Sequence, residues 1–69
     1  MSTESQFERL CAPELRAVYC YITSRVSLND AEDVLQETLL SAWRSFDSFD
    51  HRSSVRTWLI SVARRRICD

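Results

Sequence analysis

The chain has 69 residues, 45% of them hydrophobic and 28% charged, with a formal net charge of −1. A domain of this length buries only about 60% of the surface its unfolded chain exposes, which excludes a large enclosed active site and a second domain. With no glycine and a single proline, the sequence lacks the turn residues that small sheet proteins need. It therefore predicts an all-α fold, three main helices plus a short N-terminal one, in a single domain over 1–69.

The apolar residues recur at helical spacing in three blocks. The first holds Phe7, Leu10, Cys11, Leu15, Val18, Tyr19, Ile22 and Val26, and Pro13 interrupts it. Proline inside a helix removes a hydrogen bond and clashes with the preceding turn. The block therefore predicts a short helix to about Cys11 and a longer one, with Pro13 in its first turn, to about Arg25. Residues 27–30 form a connector. Asn29 is its expected N-cap, with Glu32 at capping-box spacing, and Asp30, Glu32 and Asp33 complement the helix dipole. The second block, Ala31, Val34, Leu35, Thr38, Leu39, Ala42, Trp43 and Phe46, predicts a helix over about 30–45. Residues 48–53 read as a polar loop with Phe49 as its one large apolar residue. Ser53 or Ser54 then caps the third block, Val55, Trp58, Leu59, Val62 and Ala63, whose helix runs to about Ile67. Trp43, Trp58 and the aliphatic residues are the expected core.

The exposed faces differ in charge. Residues 1–33 carry six acids against three arginines, and residues 51–69 carry five arginines against one acid; all nine cations are arginine. Opposite the apolar stripe of the second main helix, Asp33, Gln36, Glu37 and Leu40 stand at i, i+3, i+4 and i+7, one ridge. Leu40 is an apolar anchor among polar neighbours, the form of a helix that lies in a partner's groove; a solvated face with one stray leucine is the plainer reading. On the third helix Arg56, Ile60 and Arg64 share one exposed side, Arg65 and Ser61 another, and Arg52 precedes them. Arginines along a helix edge beside an aromatic loop suit phosphates and unstacked bases. Complementation of the C-terminal dipole by residues 64–66 accounts for part of the same pattern.

Three cysteines, Cys11, Cys20 and Cys68, are an odd number without ligand spacing. They read as free thiols, mostly small core fillers, in a cytoplasmic protein. The polar, acidic residues 1–9 do not form a secretion signal, and the longest apolar run, 17–22, is too short for membrane insertion. His51 is the lone histidine, Asp47 and Asp50 suit a turn, and neither a Gly-rich phosphate loop nor a nucleophile elbow is present. Thus no catalytic residue, metal or cofactor is expected, and the protein is not read as an enzyme.

The segments DAEDVLQET (30–38) and SSVRTWL (53–59), at this separation, resemble region two of bacterial sigma factors of the extracytoplasmic-function type, and the likeness covers about residues 5–69. The resemblance implies that the second main helix docks on the clamp helices of the largest subunit of core RNA polymerase through Asp33, Gln36 and Glu37, with Leu40 continuing the ridge. It implies that the loop 46–54 and the third helix recognise and melt the promoter −10 element and capture its single-stranded non-template strand. The residues assigned to DNA are Phe49, Arg52, Ser53, Arg56, Ile60, Arg64 and Arg65. An anti-sigma factor over the polymerase-binding face is a further implied partner.

Two departures from the family pattern stand out. Arg65 occupies a position that is usually Asn, and Arg66 one that is commonly apolar. The family's linker and second DNA-binding domain are not in the sequence, so the chain is read as a fragment. Two rivals stay open: a sigma-like module that occupies the clamp without reading DNA, and a compact duplex binder with a steep salt dependence.

Overall fold

Ser2 starts the first helix. Its backbone is extended (ψ 156°), and its Oγ accepts a hydrogen bond from the Ser5 N–H at 3.1 Å, which satisfies one of the donors a helix start leaves unpaired. The computed structural model describes residues 2–68. Helix α1 is Thr3–Cys11 and leads through a 3-10 turn, Ala12–Glu14, into α2, Leu15–Thr23. Pro13 sits in that turn rather than inside a regular α-helix. Helix α2 stops at Thr23, two residues before the expected end. There the Thr23 and Ser24 hydroxyls donate to the carbonyls of Cys20 (3.0 Å) and Tyr21 (2.6 Å), offering the backbone an alternative to continued helix.

Helix α3, Leu28–Arg44, starts earlier than the spacing suggests. Ser27, not Asn29, is the N-cap: it is extended (ψ 157°), and its carbonyl accepts the N–H groups of Asp30 and Ala31, each at 3.0 Å. Its hydroxyl donates to Asp30 Oδ2 at 3.1 Å. Asn29 lies inside the first turn, so the expected Asn29–Glu32 capping box does not form. A 3-10 turn, Phe46–Ser48, and the loop 49–54 lead to α4, Val55–Cys68. Of the two serines that suited its start, Ser54 is the cap, its Oγ accepting the Thr57 N–H at 3.1 Å. The described residues contain no strand, in agreement with the expected helical class.

The core is aliphatic and narrow. Val18 and Ile22 of α2, Ala31 and Ala42 of α3, and Leu59 and Ala63 of α4 are fully buried, with Cys11 beside them. Burial of a side chain such as Ile22, Leu59 or Val18 contributes about 1.5–3 kcal/mol. Thr38 is the one fully buried polar residue among those described, and its hydroxyl donates to the Val34 carbonyl at 2.7 Å.

The two tryptophans do not form the centre of this core, contrary to expectation. Ala31, Ala42 and Ala63 belong to the buried cluster itself, and Trp58 packs against it from the side. Trp43 is 41% exposed and Trp58 is half-buried. The rings gather at one end of the bundle instead. Phe7 meets Trp43 and Phe46 edge-on, with centroids 5.2 Å apart in each case. Phe46 leads on to Trp58 at 6.2 Å, and Trp58 stacks on Phe49 at 4.5 Å and 18°.

Candidate functional site

The regular turn of α3 places Asp33, Gln36, Glu37 and Leu40 on one exposed strip. Leu40 is 55% exposed, one of three large apolar residues that α3 leaves in water, with Leu28 and Trp43. Asp33 makes no ion pair with any described residue. Glu37 does: Arg66 Nη2 of α4 lies 2.8 Å from its Oε2. Beside the strip, a groove of about 540 Å³ opens between α1 and α3. Gln36, Leu40 and Trp43 line one wall, Glu4 and Glu8 the other, and Phe7 the floor. The α1 side of this surface is not visible in the spacing of α3. Its one sequence signal is Trp43, a large ring at the edge of the apolar stripe.

The loop and α4 are organised differently, because neighbouring residues already engage most of their side chains. Phe49 is half-buried between Trp58 and His51, whose ring centroid lies 4.4 Å away. It anchors the loop rather than standing free in it. His51 has φ 63°, a left-handed backbone that histidine adopts more readily than most non-glycine residues. In a chain without glycine, this residue reverses the loop. The Arg52 N–H then donates to Asp50 Oδ1 at 3.1 Å, and Arg52 Nε pairs with Asp50 Oδ2 at 3.1 Å. Ser53 is exposed. Sequence spacing placed His51 on the surface and gave it no part in the loop's shape.

On α4, Arg56 Nε donates to Glu14 Oε1 at 2.8 Å, tying the helix start to the Ala12–Glu14 turn. Ile60 is half-buried and packs against the core. It is not the free apolar contact its spacing suggested, because α4 is also covered on that flank. Arg64 and Arg65 are exposed, and with Ile60, Thr57 and Ser61 they line one shallow depression on α4. The structure therefore brings Ile60, Arg64 and Arg65 together. Phe49, Arg52 and Ser53 belong to the loop before α4, whose first residue, Val55, lies about 15 Å from Arg65 by helical rise.

Cys11 alone is the buried thiol, and burial pushes its pKa up to about 11. Cys20 and Cys68 are exposed rather than core fillers. Among the described residues, no cluster of His, Cys, Asp and Glu has the makings of a metal site, and no helix is long and apolar enough to cross a membrane.

The model of the family described as sigma-70 region 2 matches residues 9–69. The chain belongs to the sigma-70 region 2 family. Its relatives place it with the extracytoplasmic-function (ECF) sigma factors. It is 51% identical over 45 residues to the ECF RNA polymerase sigma factor SigG of Mycobacterium tuberculosis (strain CDC 1551 / Oshkosh), covering 65% of this chain and 12% of that protein. It is 45% identical over 42 residues to the ECF RNA polymerase sigma-E factor of Haemophilus influenzae, covering 61% of this chain and 22% of that protein. The RNA polymerase sigma factor HrpL of Pseudomonas syringae pv. syringae is 32% identical over 63 residues, 90% of this chain and 34% of its own length. The chain thus spans 12–34% of the length of the curated relatives named here. No solved structure matches it. Within this region 2 domain, residues 30–38 lie in the first half of α3, and residues 53–59 span the loop end and the first turn of α4.

Proposed function

We propose that the α3 ridge is the docking surface for the clamp helices of core RNA polymerase, and that the loop and α4 recognise and melt the promoter −10 element by capturing its non-template strand. The observation that carries this reading is the separation of two exposed surfaces. An acidic ridge with an apolar anchor lies on α3, and an arginine-bearing strip lies on α4. Asp33, Gln36, Glu37 and Leu40 supply carboxylates, an amide and an apolar contact to a basic, amphipathic helical partner. Arg52, Ser53, Arg56, Arg64 and Arg65 supply donors to phosphates, and arginine binds these through paired N–H groups. Ile60 and the exposed edge of His51 give a base something to rest against.

Strand opening without ATP needs a trap for unpaired bases. Stacking contributes about 1–3 kcal/mol per base, and A·T-rich or flexible steps open most easily. A domain with a net charge of −1 neutralises few phosphates, so it holds DNA weakly until polymerase holds the duplex beside it. In this role the domain directs initiation in the cytoplasm and polymerase performs the chemistry. A protein that covers the ridge blocks docking, which is the place for an anti-sigma factor.

The second reading, a module that occupies the clamp without reading DNA, draws support from one feature. Arg52 and Arg56 are already paired, with Asp50 and Glu14. Exposed pairs of this kind contribute only about 0–1 kcal/mol, so a phosphate displaces them readily. The test is capture of a labelled −10 non-template oligonucleotide by the domain with core polymerase, against a scrambled sequence. The proposal expects tighter binding of the −10 sequence; equal binding of the two leaves only the clamp-occupying module.

A further inference from the structure

The groove between α1 and α3 is used by neither surface proposed above, apart from Gln36 and Leu40 on its edge. It continues past Phe7, Glu8 and Leu39, which line both parts, into a cleft of about 310 Å³ that reaches Ala12 and Leu15 beside the buried Cys11. From Glu4 to Leu15 the trough runs about 17 Å by helical rise, three turns of helix. Its two ends differ. At the start of α1, Glu4 and Glu8 stand one turn apart across from Trp43, which is 41% exposed. Beyond Glu8 the lining is apolar. No arginine lines either part, and neither Glu4 nor Glu8 forms an ion pair with a described residue.

Two exposed carboxylates beside an open indole suit a guanidinium, which pairs with carboxylates and lies against aromatic faces. The apolar length beyond them suits a row of aliphatic side chains. A helix with apolar residues at i, i+4 and i+7 has such a row, and an arginine one turn before the first brings its length to about 17 Å. The family match begins at residue 9, so Glu4, Phe7 and Glu8 lie outside it while the α3 wall lies inside. An interface common to the family draws on matched residues; a partner that needs Glu4 and Glu8 is one that this chain selects.

We propose that the α1–α3 groove docks a basic amphipathic helix of a protein partner separate from core polymerase. Its aliphatic row lies in the cleft toward Leu15, and its arginine lies against Glu4, Glu8 and Trp43. This docking is independent of what the ridge binds, because Glu4, Phe7, Glu8 and the cleft form no part of the ridge.

The test uses the 69-residue chain and two helical probe peptides. One carries leucines at i, i+4 and i+7 with an arginine one turn before the first; its twin carries glutamate in place of the arginine. Calorimetry reads affinity, and the amide signals of Phe7 and Leu39 read location. The arginine probe is expected to bind about tenfold tighter than its twin, and Glu4→Lys with Glu8→Lys to reverse that order, because like charges placed across an interface oppose binding. Both glutamates are exposed, so circular dichroism of the double variant should match that of the unaltered chain. Ala12→Gln narrows the cleft without adding charge and is expected to weaken both probes about fourfold, the worth of one methylene kept out of an apolar site.

Equal binding of the two probes, or an order that the double lysine variant does not reverse, overturns the proposal. Amide shifts on α4 in place of Phe7 and Leu39 overturn it as well. Ala12→Gln is expected to leave affinity for an isolated clamp-helix pair unchanged; an equal loss there makes the groove part of the polymerase surface and removes the separate partner. Self-association in sedimentation that Ala12→Gln abolishes assigns the groove to a second copy and also overturns it. Failure of the unaltered chain to bind the clamp pair, with the probe order intact, counts against the ridge and leaves the groove standing.

Discussion

The ridge of α3 and the strip of α4 with its loop are both exposed and both carry charge, yet they are built in opposite ways. The ridge is fixed by helical geometry alone. Four side chains at i, i+3, i+4 and i+7 share a face whatever lies beneath them, and Asp33 and Leu40 stand there without help from neighbours. The loop and α4 are fixed by tertiary contacts. Phe49 stacks on Trp58, Arg56 reaches Glu14, and His51 takes a left-handed backbone. A partner that meets the ridge displaces one pair, Glu37 with Arg66, and one that meets the strip displaces those of Arg52 and Arg56.

The strongest way to break this comparison is to reverse the ridge. Asp33→Arg with Glu37→Arg should lower affinity for core polymerase about 100-fold, because like charges placed across an interface cost several kcal/mol. The melting temperature should hardly change, since neither residue is buried. Polymerase binding that survives in the folded double variant removes the ridge from the interface.

The loop should respond the other way. Phe49→Ala removes a stacked, half-buried ring and should cost about 2–3 kcal/mol of stability, from lost burial and aromatic contact together. Clamp affinity should remain intact. Urea titration reads the first effect and clamp binding the second; a loss of clamp affinity equal to that of the ridge variant would join the two regions.

A third prediction concerns the core. Cys11, the last residue of α1, is buried there, and its folded pKa of about 11 exceeds the ordinary 9.0. The neutral thiol is favoured in the folded state, so the contribution of Cys11 to stability is constant below pH 9 and falls as pH rises from 9 to about 11. The full loss is about 2–3 kcal/mol. Cys11→Ala should lose this dependence while paying its own packing cost. Thiol labelling of the native chain should modify Cys20 and Cys68 fast and Cys11 slowly.

The smallest effect sharpens the comparison most. Arg56→Gln should change stability by less than about 1 kcal/mol, since Arg56 is exposed and pairs with a half-buried Glu14 at the surface. It should still weaken single-strand binding and flatten its salt dependence by about 0.7. A large loss of stability would make Arg56 a structural strut instead.

This contrast also explains what could be read from the chain. Helical periodicity places the ridge, the aliphatic half of the core and the break at Pro13, because each depends on residues within a turn or two. It places both tryptophans in the core, whereas Trp43 is 41% exposed and Trp58 packs against the core only half-buried. It chooses Asn29 over Ser27, because both are good caps and the backbone of residue 27 decides. It leaves Ile60 on the surface, because the packing of α4 against its neighbours is not written in the period of α4. Phe49, His51 and the Arg66–Glu37 pair are tertiary features, and no spacing within one segment announces them.

The central claim is that one small bundle carries a polymerase surface and a separate strand-capturing surface. Its most direct test is binding of the 69-residue chain to an isolated clamp-helix pair, with and without a −10 non-template oligonucleotide. The account predicts clamp binding that Asp33→Arg with Glu37→Arg abolishes, and sequence-dependent capture of the strand that persists in the same variant. No clamp binding by the folded chain, or loss of both activities together, would contradict it.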